Sequence, residues 1–212
     1  MSDPLVNRWA GALGVLASVV IILSESVRLG VGLFLDSDSS KMSHTLTYGL
    51  ALLGMCTLLL ALTAIYASEP RRFGKLGLVG YLFAFVGTTL VAGDWWFEAF
   101  VVPSIATEAP HVLELSPSGS VLVGAIATVG LYSIGWLLFG LAVFRAATMP
   151  RAAATFVIIG GLIGPLALTA PYQIPLAIGI GWIGYGLVRA PGARSRVPAK
   201  DDLPLESTVP SA

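Results

Sequence analysis

Two acidic residues lie four positions apart near the end of a long apolar run of this sequence. Asp94 and Glu98 stand in the segment "VAGDWWFEAFVVP", which otherwise has the composition of a membrane helix. A charge at the centre of a bilayer costs at least ~2.5–3.5 kcal/mol on insertion scales, so such groups are usually paired or line a wet cavity. Two carboxylates on one face can bind a cation, exchange a proton or take part in acid–base catalysis.

A second pair of ionisable residues, Glu25 and Arg28, stands near the end of the first apolar run. At 1.5 Å per residue, Glu25 and Asp94 lie about 24 Å and about 27 Å from the start of their helices. If both helices run outward, the four groups share one depth in the outer half of the bundle. Arg28 can pair with Glu25 at spacing i, i+3, or it can reach Asp94 or Glu98 instead. These four residues are the candidate site for an ion or small polar ligand, and a purely structural polar staple explains the same residues.

Small residues precede both pairs at helical 3–4 spacing. The stripe in the third apolar run comprises Gly77, Gly80, Ala84, Gly87, Val91, Asp94 and Glu98. The stripe in the first run comprises Gly11, Gly14, Ser18, Ile21, Glu25, Arg28 and Gly32. Small residues let membrane helices approach closely. We therefore expect the charged residues to continue the packing faces and to point into the bundle.

The two histidines and the single cysteine limit metal and redox chemistry. His44 and His111 are expected in outer loops, and joining either to the acids as a ligand of a divalent ion is the weakest site hypothesis. Cys56, inside an apolar run, is the single cysteine of the sequence, and one cysteine can form neither an internal disulfide nor a cysteine-built metal site. No nucleophile or metal motif accompanies the acids, so we expect no cofactor, and an enzyme is the least favoured class of function.

The composition is that of an integral membrane protein. The chain has 212 residues, of which 56% are hydrophobic and 11% charged, and its mean hydropathy is +0.85. Soluble domains carry about 25% charged residues. We therefore expect the lipid bilayer as the main partner. The 12 Lys and Arg residues balance the 12 Asp and Glu residues, which gives no indication of a nucleic-acid partner.

The apolar runs predict an all-α bundle of six transmembrane helices within residues 1–190. The predicted spans are Trp9–Phe34, Leu46–Ala67, Leu76–Val102, Ser120–Phe144, Ala153–Ala170 and Ile174–Val188. The last two spans are separated by Pro171 and Pro175, because a proline removes a backbone donor and disfavours helix in the preceding residue. A single helix there would be about 50 Å long, against a bilayer core of about 30 Å.

Basic residues predict the orientation of these spans. Lys and Arg follow spans two, four and six, at Arg71, Arg72, Lys75, Arg145, Arg151, Arg189, Arg194, Arg196 and Lys200. Because such residues stay cytoplasmic, both termini are expected inside. A five-span arrangement would export the basic tail. Residues 191–212 are rich in proline, serine and charge, which is typical of a disordered cytoplasmic tail.

The span pattern and the segment "GTTLVAGDWWFEAFVVPSIA" resemble small six-helix membrane proteins of bacteria, especially high-GC species. The resemblance implies a multi-pass protein of the bacterial plasma membrane and carries over no catalytic or ligand residue. Two functional classes remain. One is a non-enzymatic binding, sensory or accessory protein, favoured by an outward-open polar pocket. The other is a small transporter or channel for a cation, proton or small polar solute, favoured by a continuous polar track.

Overall fold

The protein is all-α and 92% helical over the residues that its structure, a computed structural model, describes. These are residues 4–34, 41–116, 118–166 and 171–189, so the predicted tail lies outside them. The helices are α1 Pro4–Phe34, α2 Lys41–Ser68, α3 Pro70–Phe100, α4 Val102–Glu108, α5 Gly119–Ala146, α6 Arg151–Leu162 and α7 Ile174–Arg189, with short 3-10 helices at Pro110–Glu114 and Gly164–Leu166. Four of them, α1, α2, α3 and α5, are long and apolar enough to cross a membrane.

Six of the helices form a closed ring. The packed pairs are α1–α2, α2–α3, α3–α5, α5–α6, α6–α7 and α7–α1. Neighbours run antiparallel: on α3 and α5, for example, Gly87 lies beside Tyr132 and Gly77 beside Ala142. The order of the helices around the ring places α1 and α5 on opposite sides of it. Side chains that meet across the centre therefore come from helices that are distant in sequence.

Glycines set the closest contacts in this ring. A methyl group added to Gly87 of α3 would overlap the main chain of Tyr132, and one added to Gly80 would lie 2.5 Å from the nitrogen of Phe139. On the other side, a methyl group on Gly11 would lie 2.6 Å from the carbonyl oxygen of Gly184. Helices in a membrane gain van der Waals contact when small residues let their backbones meet. The small-residue stripes of α1 and α3 are helix contacts, as their spacing predicts.

Large apolar side chains fill the centre of the ring. The largest fully buried ones are Trp136, Phe139, Ile21, Met55, Leu58, Leu62, Ile65, Leu176, Ile180 and Ile183. Trp136 also donates its indole N–H to the hydroxyl of Thr88 over 3.1 Å, which fixes α5 against α3. Both residues are fully buried. This hydrogen bond satisfies a donor that would otherwise be costly to bury.

The last helical hairpin differs from the predicted spans in one respect. The fifth span was expected to reach Ala170, but α6 ends at Leu162 and is followed by the 3-10 helix Gly164–Leu166. Pro165 accounts for the early end, because proline has no backbone N–H to donate to the carbonyl of Gly161 and its ring clashes with that carbonyl in an α-helix. Residues 167–170 lie outside the described ranges. By contrast, α7 begins at Ile174 as predicted.

Candidate functional site

An ion pair lies at the end of the ring where α1 and α3 finish and α7 begins, which we call the polar end. Arg28 Nη1 lies 2.7 Å from Glu25 Oε1, one helical turn away on α1. Their side chains are 8% and 1% exposed, respectively. The pair is therefore buried, and Arg28 compensates the charge of the Glu25 carboxylate. Of the partners that the sequence left open for Arg28, the direct contact is Glu25.

Two aromatic rings from neighbouring helices enclose the same guanidinium. The Cζ atom of Arg28 lies 4.4 Å from the ring centroid of Trp95 on α3 and 5.7 Å from that of Tyr48 on α2. The two rings are themselves 5.6 Å apart. A guanidinium over an aromatic face is attracted by the ring quadrupole, more strongly when water is excluded. Arg28 thus links α1 to both α2 and α3.

Asp94 does not point into the bundle, and this corrects the orientation expected from its stripe. The Asp94 side chain is exposed, whereas its neighbour Trp95 is buried. The stripe is buried as far as Val91, and residues 119–127 at the start of α5 are all exposed. Among the described residues, α5 therefore does not cover the stripe at Asp94. Asp94 still interacts electrostatically with Glu98 and Arg28.

Glu98 is half-buried and meets a histidine rather than the arginine. His44 Nε2 lies 3.4 Å from the carboxylate Oε2 of Glu98 and 3.0 Å from its main-chain oxygen. His44 was expected in a loop, but α2 begins at Lys41 and includes it. Thr45 donates to the Ala99 carbonyl over 3.0 Å beside it. These contacts fasten the start of α2 to the end of α3.

The hypothesis of a metal ligand finds no geometric support in the described part of the chain. No group of three His, Cys, Asp or Glu side chains there could hold a metal ion. His111 is exposed in the 3-10 helix Pro110–Glu114. The cluster thus combines Glu25, Arg28, Glu98 and His44, with Asp94 at its edge.

The cluster also includes two uncharged residues, which the search for charged residues in the sequence did not identify. Tyr132 of α5 is 1% exposed and interacts electrostatically with Glu25 across the centre of the ring. Gln173, before α7, is 3% exposed, and its main chain interacts with the carboxylate of Glu25. Tyr132 begins an aromatic row with Trp136 and Phe139 at 3–4 spacing, a signal available in the sequence. Gln173 lies between Pro171 and Pro175, the two prolines that separate the last two predicted spans.

Four buried polar side-chain atoms at the polar end have no hydrogen-bond partner among the described residues. They are Ser24 Oγ, Trp95 Nε1, Tyr132 Oη and Ser133 Oγ. The carboxylate of Glu25 accepts from Arg28 and interacts with the main chain of Gln173. The great majority of buried polar side-chain atoms in proteins are hydrogen-bonded to protein or to ordered water. Within the described part of the chain, these atoms are hydrogen-bonding groups without a partner close to the Arg28–Glu25 pair.

Comparison with family models, with curated proteins and with solved structures finds no match for this chain. The role of the protein must therefore be argued from the site itself.

Proposed function

We propose that the protein is a non-enzymatic binding, sensory or accessory protein that spans the bacterial plasma membrane six times, with both termini in the cytoplasm. Its polar end then faces outward and takes up a cation or small polar ligand. The exposed arginines support this orientation, because they cluster at the opposite end of the ring, at Arg71, Arg72, Arg145, Arg151 and Arg189. Lys and Arg are characteristic of cytoplasmic ends.

The closed ring supports six crossings rather than four. At 1.5 Å per residue, α6 and α7 are about 18 Å and about 24 Å long, which is short for a bilayer core of about 30 Å. Both nevertheless pack along full-length neighbours, α6 on α5 and α7 on α1. A short apolar helix is accommodated by local thinning of the bilayer or by snorkelling of flanking residues, at modest cost.

The single observation that favours binding over transport is the contrast between the two halves of the ring. The polar end holds a buried ion pair with unused hydrogen-bonding atoms. Towards the opposite end, the centre is filled by apolar side chains such as Leu62, Phe139 and Ile183. The buried Thr57 there donates to main-chain oxygens of its own helix, at Leu53 and Gly54. A polar cluster that an apolar core separates from the opposite face suits capture of a ligand rather than its passage.

A thermal-stability screen of the purified protein tests this proposal. Monovalent and divalent cations, amines and uncharged polar solutes are added one at a time to the wild type and to Glu25→Gln. A ligand that binds only the folded state at 100 times its Kd stabilises it by about 2.7 kcal/mol. We expect at least one compound to raise the unfolding temperature of the wild type and to have a smaller effect on Glu25→Gln. If no compound does so, the cluster is a structural staple and the proposal fails.

The transporter alternative is tested on the same compounds. The protein is reconstituted in vesicles, and each compound that stabilises the wild type is assayed for uptake. We expect binding without uptake above that of empty vesicles. Protein-dependent uptake that is lost in Asp94→Asn or Glu98→Gln would instead assign the chain to the transporters or channels.

A further inference from the structure

His44 joins the start of α2 to the end of α3 through two contacts with one residue. Its Nε2 atom lies 3.0 Å from the main-chain oxygen of Glu98 and 3.4 Å from the carboxylate Oε2. The next residue, Thr45, donates to the carbonyl of Ala99 over 3.0 Å. We call this set of contacts the His44 clasp. It connects the ends of two neighbouring helices at the polar end of the ring.

The two contacts of the His44 ring respond differently to protonation. The contact with the main-chain oxygen needs a proton on Nε2, which both the neutral ring and the imidazolium can carry. The carboxylate attracts the imidazolium as an ion pair, whereas the neutral ring offers it no charge. Histidine is the side chain that ordinarily changes charge between about pH 5 and 8. The side chains of His44 and Glu98 are both 32% exposed, so the ring can exchange protons with the solution.

Acidic residues belong to both helices that follow α2 and contact it. Asp94 of α3 stands one turn before Glu98 and interacts with it electrostatically. The short helix α4, which also contacts α2, carries one charged residue, Glu108. Opposite charges attract more strongly at shorter distance, so the carboxylate of Glu98 has the largest effect on a charged His44 ring.

Two basic residues stand at the polar end, within the part of the chain that the structure describes. Lys41 is the first residue of α2, three positions before His44. Arg28 of α1 is separated from His44 by an aromatic side chain: the Tyr48 centroid lies 5.7 Å from Arg28 Cζ and 4.4 Å from the His44 ring. The charge of Arg28 is compensated by Glu25 at 2.7 Å, which weakens its repulsion of a second cation.

We propose that the His44 clasp is a proton sensor, in which the imidazolium of His44 forms an ion pair with Glu98 and holds the start of α2 more firmly against α3. The proton comes from water and binds Nδ1, because Nε2 already carries the proton directed at the main-chain oxygen. Loss of that proton leaves only the contacts with main-chain oxygens. The inference goes beyond the proposed function, since it needs no added ligand. Only its exposure to the external solution rests on the proposed orientation.

The stabilisation has a defined pH window. The ion pair requires an imidazolium and a carboxylate, so its contribution to stability is present in mild acid and is lost as the pH rises through the titration of the imidazole. Carboxylates ordinarily protonate near pH 4, so the contribution also disappears in stronger acid. The informative comparison is therefore between about pH 5.5 and about pH 8.

Three variants of the full-length protein test the sensor. His44→Gln keeps an amide that can donate to the main-chain oxygen of Glu98 but carries no charge. Glu98→Gln removes the charge of the partner and keeps the histidine. The matched control is His111→Gln, because His111 is exposed in the 3-10 helix Pro110–Glu114. The equilibrium constant of unfolding is measured in mixed micelles at both pH values.

We expect the wild type to gain stability over His44→Gln on acidification. The ratio of their unfolding constants should change about two- to fivefold between about pH 8 and about pH 5.5, as for a partly exposed ion pair. The ratio of wild type to Glu98→Gln should change by a similar factor. The ratio of wild type to His111→Gln should stay constant.

Hydrogen exchange of the peptide covering residues 41–48 follows the clasp directly. Glu98→Gln leaves the sequence of this peptide unchanged, so its intrinsic exchange equals that of the wild type at each pH. We expect the wild-type peptide to be better protected at about pH 5.5 and equally protected at about pH 8. This measurement also decides the question if His44→Gln does not fold.

A pH-independent ratio of wild type to His44→Gln, or a change of equal size in His111→Gln, overturns the sensor. Equal protection of residues 41–48 in the wild type and Glu98→Gln at both pH values does so as well. The proposed function is judged separately, by added compounds at one pH. A stabilising cation or solute without the pH effect refutes the sensor alone, and the pH effect without any stabilising compound refutes the proposed ligand alone.

Discussion

Arg28 and Glu25 form a buried ion pair within one helix, with 2.7 Å between Nη1 and Oε1. The pair does not itself join two helices, yet the guanidinium also lies 4.4 Å from the centroid of the Trp95 ring of α3. One side chain therefore compensates a buried carboxylate on α1 and holds the polar end of α3 in place. The two roles can be separated by double mutants, because only interacting residues depart from additivity.

We predict that Arg28→Ala destabilises the protein by about 3–5 kcal/mol, because it leaves the Glu25 carboxylate buried without a counter-ion. Adding Glu25→Gln should recover part of this loss. Adding Asp94→Asn should recover little, because Asp94 is exposed. The free energy of unfolding in mixed micelles measures all three variants. A larger rescue by Asp94→Asn than by Glu25→Gln would show that the arginine serves α3 rather than its own helix.

A second prediction concerns the contact of α3 with α5. Gly87→Leu should sharply lower the yield of folded protein, because even a methyl group there overlaps the main chain of Tyr132. Gly93→Leu is the matched control on the same helix, since nothing lies within 4 Å of a methyl group at Gly93. It should be tolerated. The yields are compared by size-exclusion chromatography in detergent, and equal yields would contradict the α3–α5 contact.

The hydrogen bond between Trp136 and Thr88 gives a third prediction. Thr88→Val removes the acceptor of a 3.1 Å bond and leaves the buried indole N–H unpaired, so we expect a loss of about 1–3 kcal/mol. Thr89→Val is its control. Thr89 is exposed, and its hydroxyl only returns to the carbonyl of Phe85 on its own helix. Its substitution should change the unfolding free energy by less than about 0.5 kcal/mol. Equal losses in the two variants would argue against a specific role of the bond.

A fourth prediction addresses the topology in the membrane. Single cysteines are introduced as Ser118→Cys and Ser195→Cys in a background without Cys56, whose side chain is exposed. An impermeant thiol reagent added to intact cells should label position 118 and not position 195. Labelling of position 195 from outside, or equal labelling of both, would refute six crossings with cytoplasmic termini.

The helices and their packing faces were determined by the sequence itself. Apolar runs of sufficient length must become helices in a bilayer, because no water is present there to satisfy free backbone groups. Small residues at 3–4 spacing identify helix contacts from local periodicity alone, as Gly80 and Gly87 do. The possible pairing of Glu25 with Arg28 is likewise local, since residues three apart lie on one side of a helix.

Only the tertiary structure decided which polar groups are buried together. Asp94 continues a packing stripe that is buried as far as Val91, but Asp94 itself is exposed, as are residues 119–127 at the start of α5. Conversely, Tyr132 stands 107 positions after Glu25 (132 − 25 = 107) and meets it because the ring places α5 opposite α1. Helical periodicity specifies which face of a helix is packed, not which helix lies opposite or where it diverges. The identity of the opposite helix and the extent of its contact depend on how the whole ring closes. The set of residues in the candidate site therefore depends on the closure of the ring as well.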